Sequence, residues 1–177
     1  MTVLEKKSIF NSMPKHLKTE ITRINGYLKE VVTFFDSSGK PISRIVNPLM
    51  VELKPRDILQ IFVGAFLIAA PLCFTEEVWQ LSISLKKNNV YALGLISLTT
   101  VTLFIYLNFY RYKLKGHFLN FLKRVLATYV ITISSIILIL ILIDKFPFEE
   151  NPGIAIKRVI IIGFPSTFGA VISDYLK

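Results

Sequence analysis

Val125-Leu-Ala-Thr-Tyr-Val-Ile-Thr-Ile-Ser-Ser-Ile-Ile-Leu-Ile-Leu-Ile-Leu-Ile143 is a run of 19 residues without a charged side chain. At about 1.5 Å of helical rise per residue it nearly crosses a hydrocarbon core of about 30 Å. Three further uncharged stretches lie around it, Ile58–Phe74, Asn88–Tyr110 and Val159–Ser173, of 17, 23 and 15 residues. Short charged connections separate them. The sequence therefore predicts an all-α, polytopic membrane protein with four transmembrane helices, over about 58–79, 88–110, 125–143 and 156–174. The last apolar stretch is short and draws on its flanks, so an interfacial fourth helix is the competing reading.

Composition agrees. Of the 177 residues, 53% are hydrophobic and 19% charged, which a soluble domain of this size accommodates only by burying nearly every apolar residue. The net charge of +9 gathers at the edges of the apolar stretches, not on a soluble face with stacking aromatics, so no nucleic-acid partner is expected. The single cysteine, Cys73, excludes an intramolecular disulfide and a cysteine metal cluster. The polar first 56 residues have no apolar core of a signal peptide, and insertion is expected to begin at the first span.

Lysine and arginine positions predict the orientation. Lys40, Arg44, Lys54 and Arg56 precede the first span, and the connection 111–124 holds Arg111, Lys113, Lys115, Lys123 and Arg124 without an acid. With Lys177 they make ten positive residues on one side, against Lys86, Lys87, Lys145, Lys157 and Arg158, five, on the other. The positive-inside rule then places both termini and the middle connection in the cytoplasm, the protein residing in the cell (plasma) membrane. Lys157 and Arg158 would have to snorkel from the end of the last span.

Residues 1–56 are expected to form a cytoplasmic region apart from the transmembrane domain, 57–177. Leu17, Ile21, Ile24 and Leu28 recur at spacings of four and three, which predicts a helix over about 14–30, capped by Ser12 with Pro14 in its first turn. The stripe is expected to pack on its surroundings; a short coiled coil is the alternative. Val31–Phe35 and Ile42–Val46 are rich in strand formers and flank the turn material Asp36-Ser-Ser-Gly-Lys40, so 31–46 reads as a hairpin.

The candidate ion pathway lies in the first and last spans. Pro71 removes a backbone donor and should kink its helix, with Thr75, Glu76 and Glu77 following directly. A carboxylate at membrane depth beside a broken helix points to an ion or proton route. The competing reading puts Glu76 at the interface, where Trp79 is the aromatic anchor. The last span carries Pro165, Ser166 and Thr167 and shares an Ile-x-x-Pro-x-x-Phe frame with the first, at Ile68–Phe74 and Ile162–Phe168, so the two kinked helices could flank one cavity. Gly169-x-x-x-Ser173 and Ala65-x-x-x-Ala69 are small-residue spacings suited to close helix packing. Thr128, Thr132 and Ser135 form a hydroxyl stripe on the third span, while Ser97, Thr99, Thr100 and Thr102 are spread around the second. His16 and His117 have no neighbours that would complete a metal site, and no glycine loop holds a phosphate. Catalytic, cofactor and metal residues are therefore not expected, and neither is an enzyme.

Pro71-Leu-Cys-Phe-Thr-Glu-Glu-Val-Trp79, the approach Lys54-Pro-Arg-Asp-Ile-Leu-Gln60, and Gly163-Phe-Pro-Ser-Thr-Phe-Gly-Ala170 with Ser173-Asp174 resemble a family of archaeal and bacterial integral membrane proteins of unknown function. The resemblance covers roughly residues 30–177 and implies a membrane location, with no activity or site residue to transfer. Two functions fit the residues. One is an ion or proton channel or transporter formed by several copies of the chain. The other is a non-transporting scaffold or sensor whose amino-terminal region binds a cytoplasmic protein.

Overall fold

The computed structural model describes residues 16–36, 38–48, 52–111 and 116–176. The chain divides into two compact units, 1–52 and 53–177. The first unit is a three-stranded antiparallel meander, β1 (His16–Ile24), β2 (Tyr27–Phe35) and β3 (Pro41–Pro48), in the order β1-β2-β3. Residues 31–46 thus form the expected hairpin, with Asp36 N–H donating to the Lys40 carbonyl at 2.8 Å across the turn.

The helix expected over 14–30 is not formed. Its residues from 16 onward are β1, a turn and the start of β2, so the chain is not all-α. Ser12 and Pro14 lie outside the described residues. The reason is the dipeptide Asn25-Gly26, with φ of +54° and +80°. Two consecutive left-handed residues make a type I′ turn, whose twist matches that of paired strands and which no helix continues through. The stripe was a real face, but of a sheet. Pairings Leu17↔Phe34, Arg23↔Leu28 and Val32↔Ile45 put Leu17, Ile21, Leu28, Val32, Phe34 and Ile45 on one side, while Ile24 falls on the other.

The second unit is helical: α1 (Pro55–Cys73), the short α2 (Glu76–Ser84), α3 (Lys87–Ile105), α4 (Phe118–Leu142) and α5 (Pro152–Tyr175). Helix α3 widens into a π-helical turn over Tyr106–Tyr110. Among the described residues four segments are long and apolar enough to cross a membrane, 55–73, 87–110, 118–142 and 152–175. Large apolar side chains such as Leu59, Leu67, Leu95, Val130 and Leu142 stand exposed along them. A soluble bundle would turn these inward; a lipid-facing surface is where they belong.

Helix α5 is the hub, packing against α1, α2, α3 and α4. Its closest neighbour is α1, whose residues Ile61, Gly64, Ala65, Ala69 and Cys73 form one buried face. At the crossing a Cβ on Gly64 would lie 2.3 Å from the Gly169 carbonyl oxygen and 2.4 Å from Ser173 Cβ. The backbones touch there, the close approach that the small-residue spacings suggest.

Two boundaries differ from the sequence reading. The first span ends at Cys73, two residues after Pro71, and Glu76, Glu77 and Trp79 belong to the separate helix α2. The break is well satisfied: Thr75 Oγ1 donates to the Leu72 carbonyl at 2.8 Å and the Trp79 indole N–H to the Cys73 carbonyl at 3.0 Å. The third span starts at Phe118, so Arg124 lies inside a helix and not in the preceding connection.

Candidate functional site

Arg124 is the largest fully buried side chain of the helical unit, with 0% exposure. A guanidinium is buried in a membrane bundle only when its donors meet strong acceptors. Two carboxylates supply them. Arg124 Nη1 donates to Asp174 Oδ2, near the end of α5, and Arg124 Nη2 donates at 3.0 Å to Asp57 Oδ2, in the first turn of α1. Asp57 and Asp174 are 1% and 0% exposed.

Local structure places each group. Lys54 precedes α1 with Pro55 at its first position, and the Lys54 backbone N–H donates to Asp57 Oδ2 at 3.2 Å. Asp57 so completes a helix start that already favours negative charge. The π turn closing α3 buries Phe109 and Tyr110 together. The Phe109 ring lies under the guanidinium, 4.3 Å from centroid to Cζ, and Tyr110 hydrogen-bonds it. Tyr175 packs edge-on against Phe104 and Phe109. Ends of α1, α3, α4 and α5 therefore converge on one charged cluster at one side of the bundle.

From Arg124 a line of hydroxyls runs into the bundle along α4. Thr128, Thr132 and Ser135 are all buried, at spacings that keep them on the Arg124 face. Thr128 Oγ1 donates to the Arg124 carbonyl at 2.9 Å and Ser135 Oγ to the Ile131 carbonyl at 2.7 Å. Thr132 Oγ1, fully buried, has no hydrogen-bond partner among the described residues.

Of the residues expected to line a pathway, Ser166 and Thr167 are buried and Pro165 half-buried on α5, whereas Pro71, Glu76 and Glu77 are exposed and Thr75 half-buried. The structure does not bring the two groups together. Ser166 Oγ bonds the Ile162 carbonyl at 2.7 Å. Thr167 Oγ1 meets Ser97 Oγ at 2.9 Å, and Ser97 meets Tyr129 Oη at 2.9 Å, a hydroxyl trio that joins α3, α4 and α5. Trp79 is half-buried, with the Lys145 ammonium 4.6 Å from its ring centroid.

Sequence reasoning missed Asp57, Arg124 and Asp174 as a group. Each stands at the margin of an apolar stretch and reads as an interfacial charge. The available signal was Asp174 four residues after Ala170 and five after Gly169, on the last turn of a helix otherwise free of acids, with the charged pairs Arg56-Asp57 and Lys123-Arg124 at the starts of the first and third spans.

The sequence model of a family described as "Putative integral membrane protein (DUF2391)" matches residues 37–173. It spans β3 and nearly the whole helical unit, and stops one residue before Asp174. No curated protein and no solved structure matches the chain.

Proposed function

The chain belongs to that family of integral membrane proteins, and from this premise we propose that it passes protons or a small cation across the membrane, with Arg124, Asp57 and Asp174 as the gate. The observation that carries the reading is the buried ionic cluster knotting three spans at the head of a hydroxyl line in which Thr132 has no hydrogen-bond partner among the described residues. Ionisable groups inside a bundle are costly and point by default to a functional site, ion pathways and proton relays among them. Protonation of either carboxylate, or competition by a cation, weakens the ion pairs and loosens α1, α4 and α5 from one another at that end. Glu76 and Glu77 take the role of an exposed acidic collar on α2. Several copies of the chain complete the route, since one bundle of four spans offers little interior. The cluster faces the cytoplasm, with both termini, in the plasma membrane.

The test is flux into sealed liposomes carrying the purified protein, under a pH gradient and under gradients of monovalent cations. Asp174→Asn and Asp57→Asn should each abolish or deregulate flux and shift its pH dependence, while Glu76→Gln and Glu77→Gln change it little. Absence of flux from correctly folded wild type under every gradient overturns the reading.

A second reading, a scaffold or sensor with a cytoplasmic protein partner, is favoured by one observation: Leu17, Ile21 and Ile45 are exposed on one face of the sheet. Serine at these three positions should then abolish partner binding and leave membrane insertion intact.

A further inference from the structure

The connection between α4 and α5 builds a second polar site at the opposite ends of those helices from Arg124. Helix α4 closes with Asp144 in the left-handed region at φ +55°, and Lys145 N–H donates back to the Leu140 carbonyl at 2.8 Å. That is a Schellman closure with an aspartate where glycine is usual. Phe146 and Phe148 stack at 5.7 Å, and Asn151 caps α5 by accepting from Ile154 N–H at 3.2 Å. These contacts fix the walls of a cavity of about 640 Å³, lined among others by Asp144, Lys145, Phe148, Glu149, Glu150 and Arg158.

Arg158 reaches it from the second turn of α5, with only 9% of its surface exposed. Its Nε donates to Ser82 Oγ at 3.2 Å and its Nη1 to the Lys145 carbonyl at 2.6 Å. Those two bonds hold the guanidinium in place at the cavity wall. Three carboxylates line the same cavity, yet none pairs with Arg158 or Lys145 among the described residues. Opposite charges that share a cavity without meeting leave a gap that a molecule bearing both signs would bridge. Arginine suits phosphate oxygens, and carboxylates suit an ammonium. Exposed Ile141 and Leu142 close α4 and exposed Ile156 lies early in α5, so the connection between these helices stands where hydrocarbon gives way to headgroups.

We propose that this cavity binds a zwitterionic group made of a phosphate and a primary ammonium, supplied by a phospholipid headgroup such as that of phosphatidylethanolamine. Arg158 holds the phosphate, and Glu149 and Glu150 hold the ammonium.

Native mass spectrometry of the full chain, released from mixed micelles with equal amounts of phosphatidylethanolamine, phosphatidylglycerol and phosphatidylcholine, tests the assignment. Phosphatidylethanolamine should be retained about tenfold over both others, a difference of about 1.4 kcal/mol. Arg158→Gln should reduce its retention, and the exposed pair Glu149→Gln/Glu150→Gln, which leaves the fold untouched, should erase the preference over phosphatidylglycerol. Water-soluble phosphoethanolamine that displaces the lipid identifies the headgroup as sufficient; failure to displace it, with lipid preference intact, assigns the chains a share of the binding. Equal retention of the three lipids, a preference unchanged by the glutamate pair, or displacement by inorganic phosphate as effective as by phosphoethanolamine overturns the proposal.

Discussion

Arg124 touches two acids, and the consequences of removing each member differ. Arg124→Leu strands two carboxylates in a dry interior, and breaking a buried pair in this way costs about 3–5 kcal/mol. The triple change Arg124→Leu/Asp57→Asn/Asp174→Asn leaves no charge behind and should recover most of that loss. Thermal unfolding in detergent, followed by circular dichroism, should therefore rank the triple variant above the single one; the reverse order would mean that the ion pairs add net stability beyond compensating one another. Asp144 allows a second residue-scale prediction. Its left-handed φ of +55° suits glycine better than a residue with a side chain, although aspartate tolerates it more than most, so Asp144→Gly should leave stability unchanged or raise it by up to about 1 kcal/mol, read in the same melts.

At the scale of elements, sequence periodicity performed unevenly, and the differences have physical causes. Long apolar runs mark spans because no polar backbone can be exposed to lipid, a constraint strong enough to be read from single stretches. The four spans were legible for that reason. The strands were harder. Leu17 and Ile21 are separated by an even number, which serves a strand face as well as a helix face, and the stripe continues to Leu28 only because the chain doubles back at Asn25-Gly26. That dipeptide was the decisive signal, and reading it before the apolar spacing would have replaced the helix with a hairpin. Hairpin 31–46 was readable because its turn is long and polar. The start of the third span was misplaced where charge was taken as proof of a loop. Arg124 sits inside that helix because acceptors reach it from other elements.

The α1–α5 contact gives the element-scale prediction. A methyl on Gly64 or Gly169 meets backbone at 2.3 or 2.6 Å, so alanine at either should cost about 1–3 kcal/mol as the helices separate. Gly94 is the control: its added methyl would touch only Ile160 Cγ2 at 3.6 Å, and alanine there should be neutral or stabilising by up to about 1 kcal/mol. Equal losses at all three positions in detergent melts would refute close packing as the reason for the glycines.

For the whole molecule, the candidate site was illegible in one dimension. Asp57 and Arg124 are 67 residues apart and Arg124 and Asp174 are 50, and only packing around α5 brings them together. Thr167 is visible in the sequence as a polar position of the last span, but its partner Ser97, and Tyr129 beyond it, come from other helices. The two-unit division predicts that residues 53–177, expressed alone, insert and keep the helical melt of the full chain, because the buried face of each helix is met by another helix of the same unit. Loss of the cooperative transition on removing 1–52 would refute that independence.

Helix α5 is gripped near both ends, by Ser82 and the Lys145 carbonyl at Arg158 and by Arg124 at Asp174. Sixteen residues, about 24 Å of rise, separate the grips. Between them stands Pro165, where the helix lacks one rung of its hydrogen-bond ladder. The helix is in this sense a two-armed lever with a compliant fulcrum. A pull on one arm should therefore bend the helix at Pro165 before it shifts the whole rod.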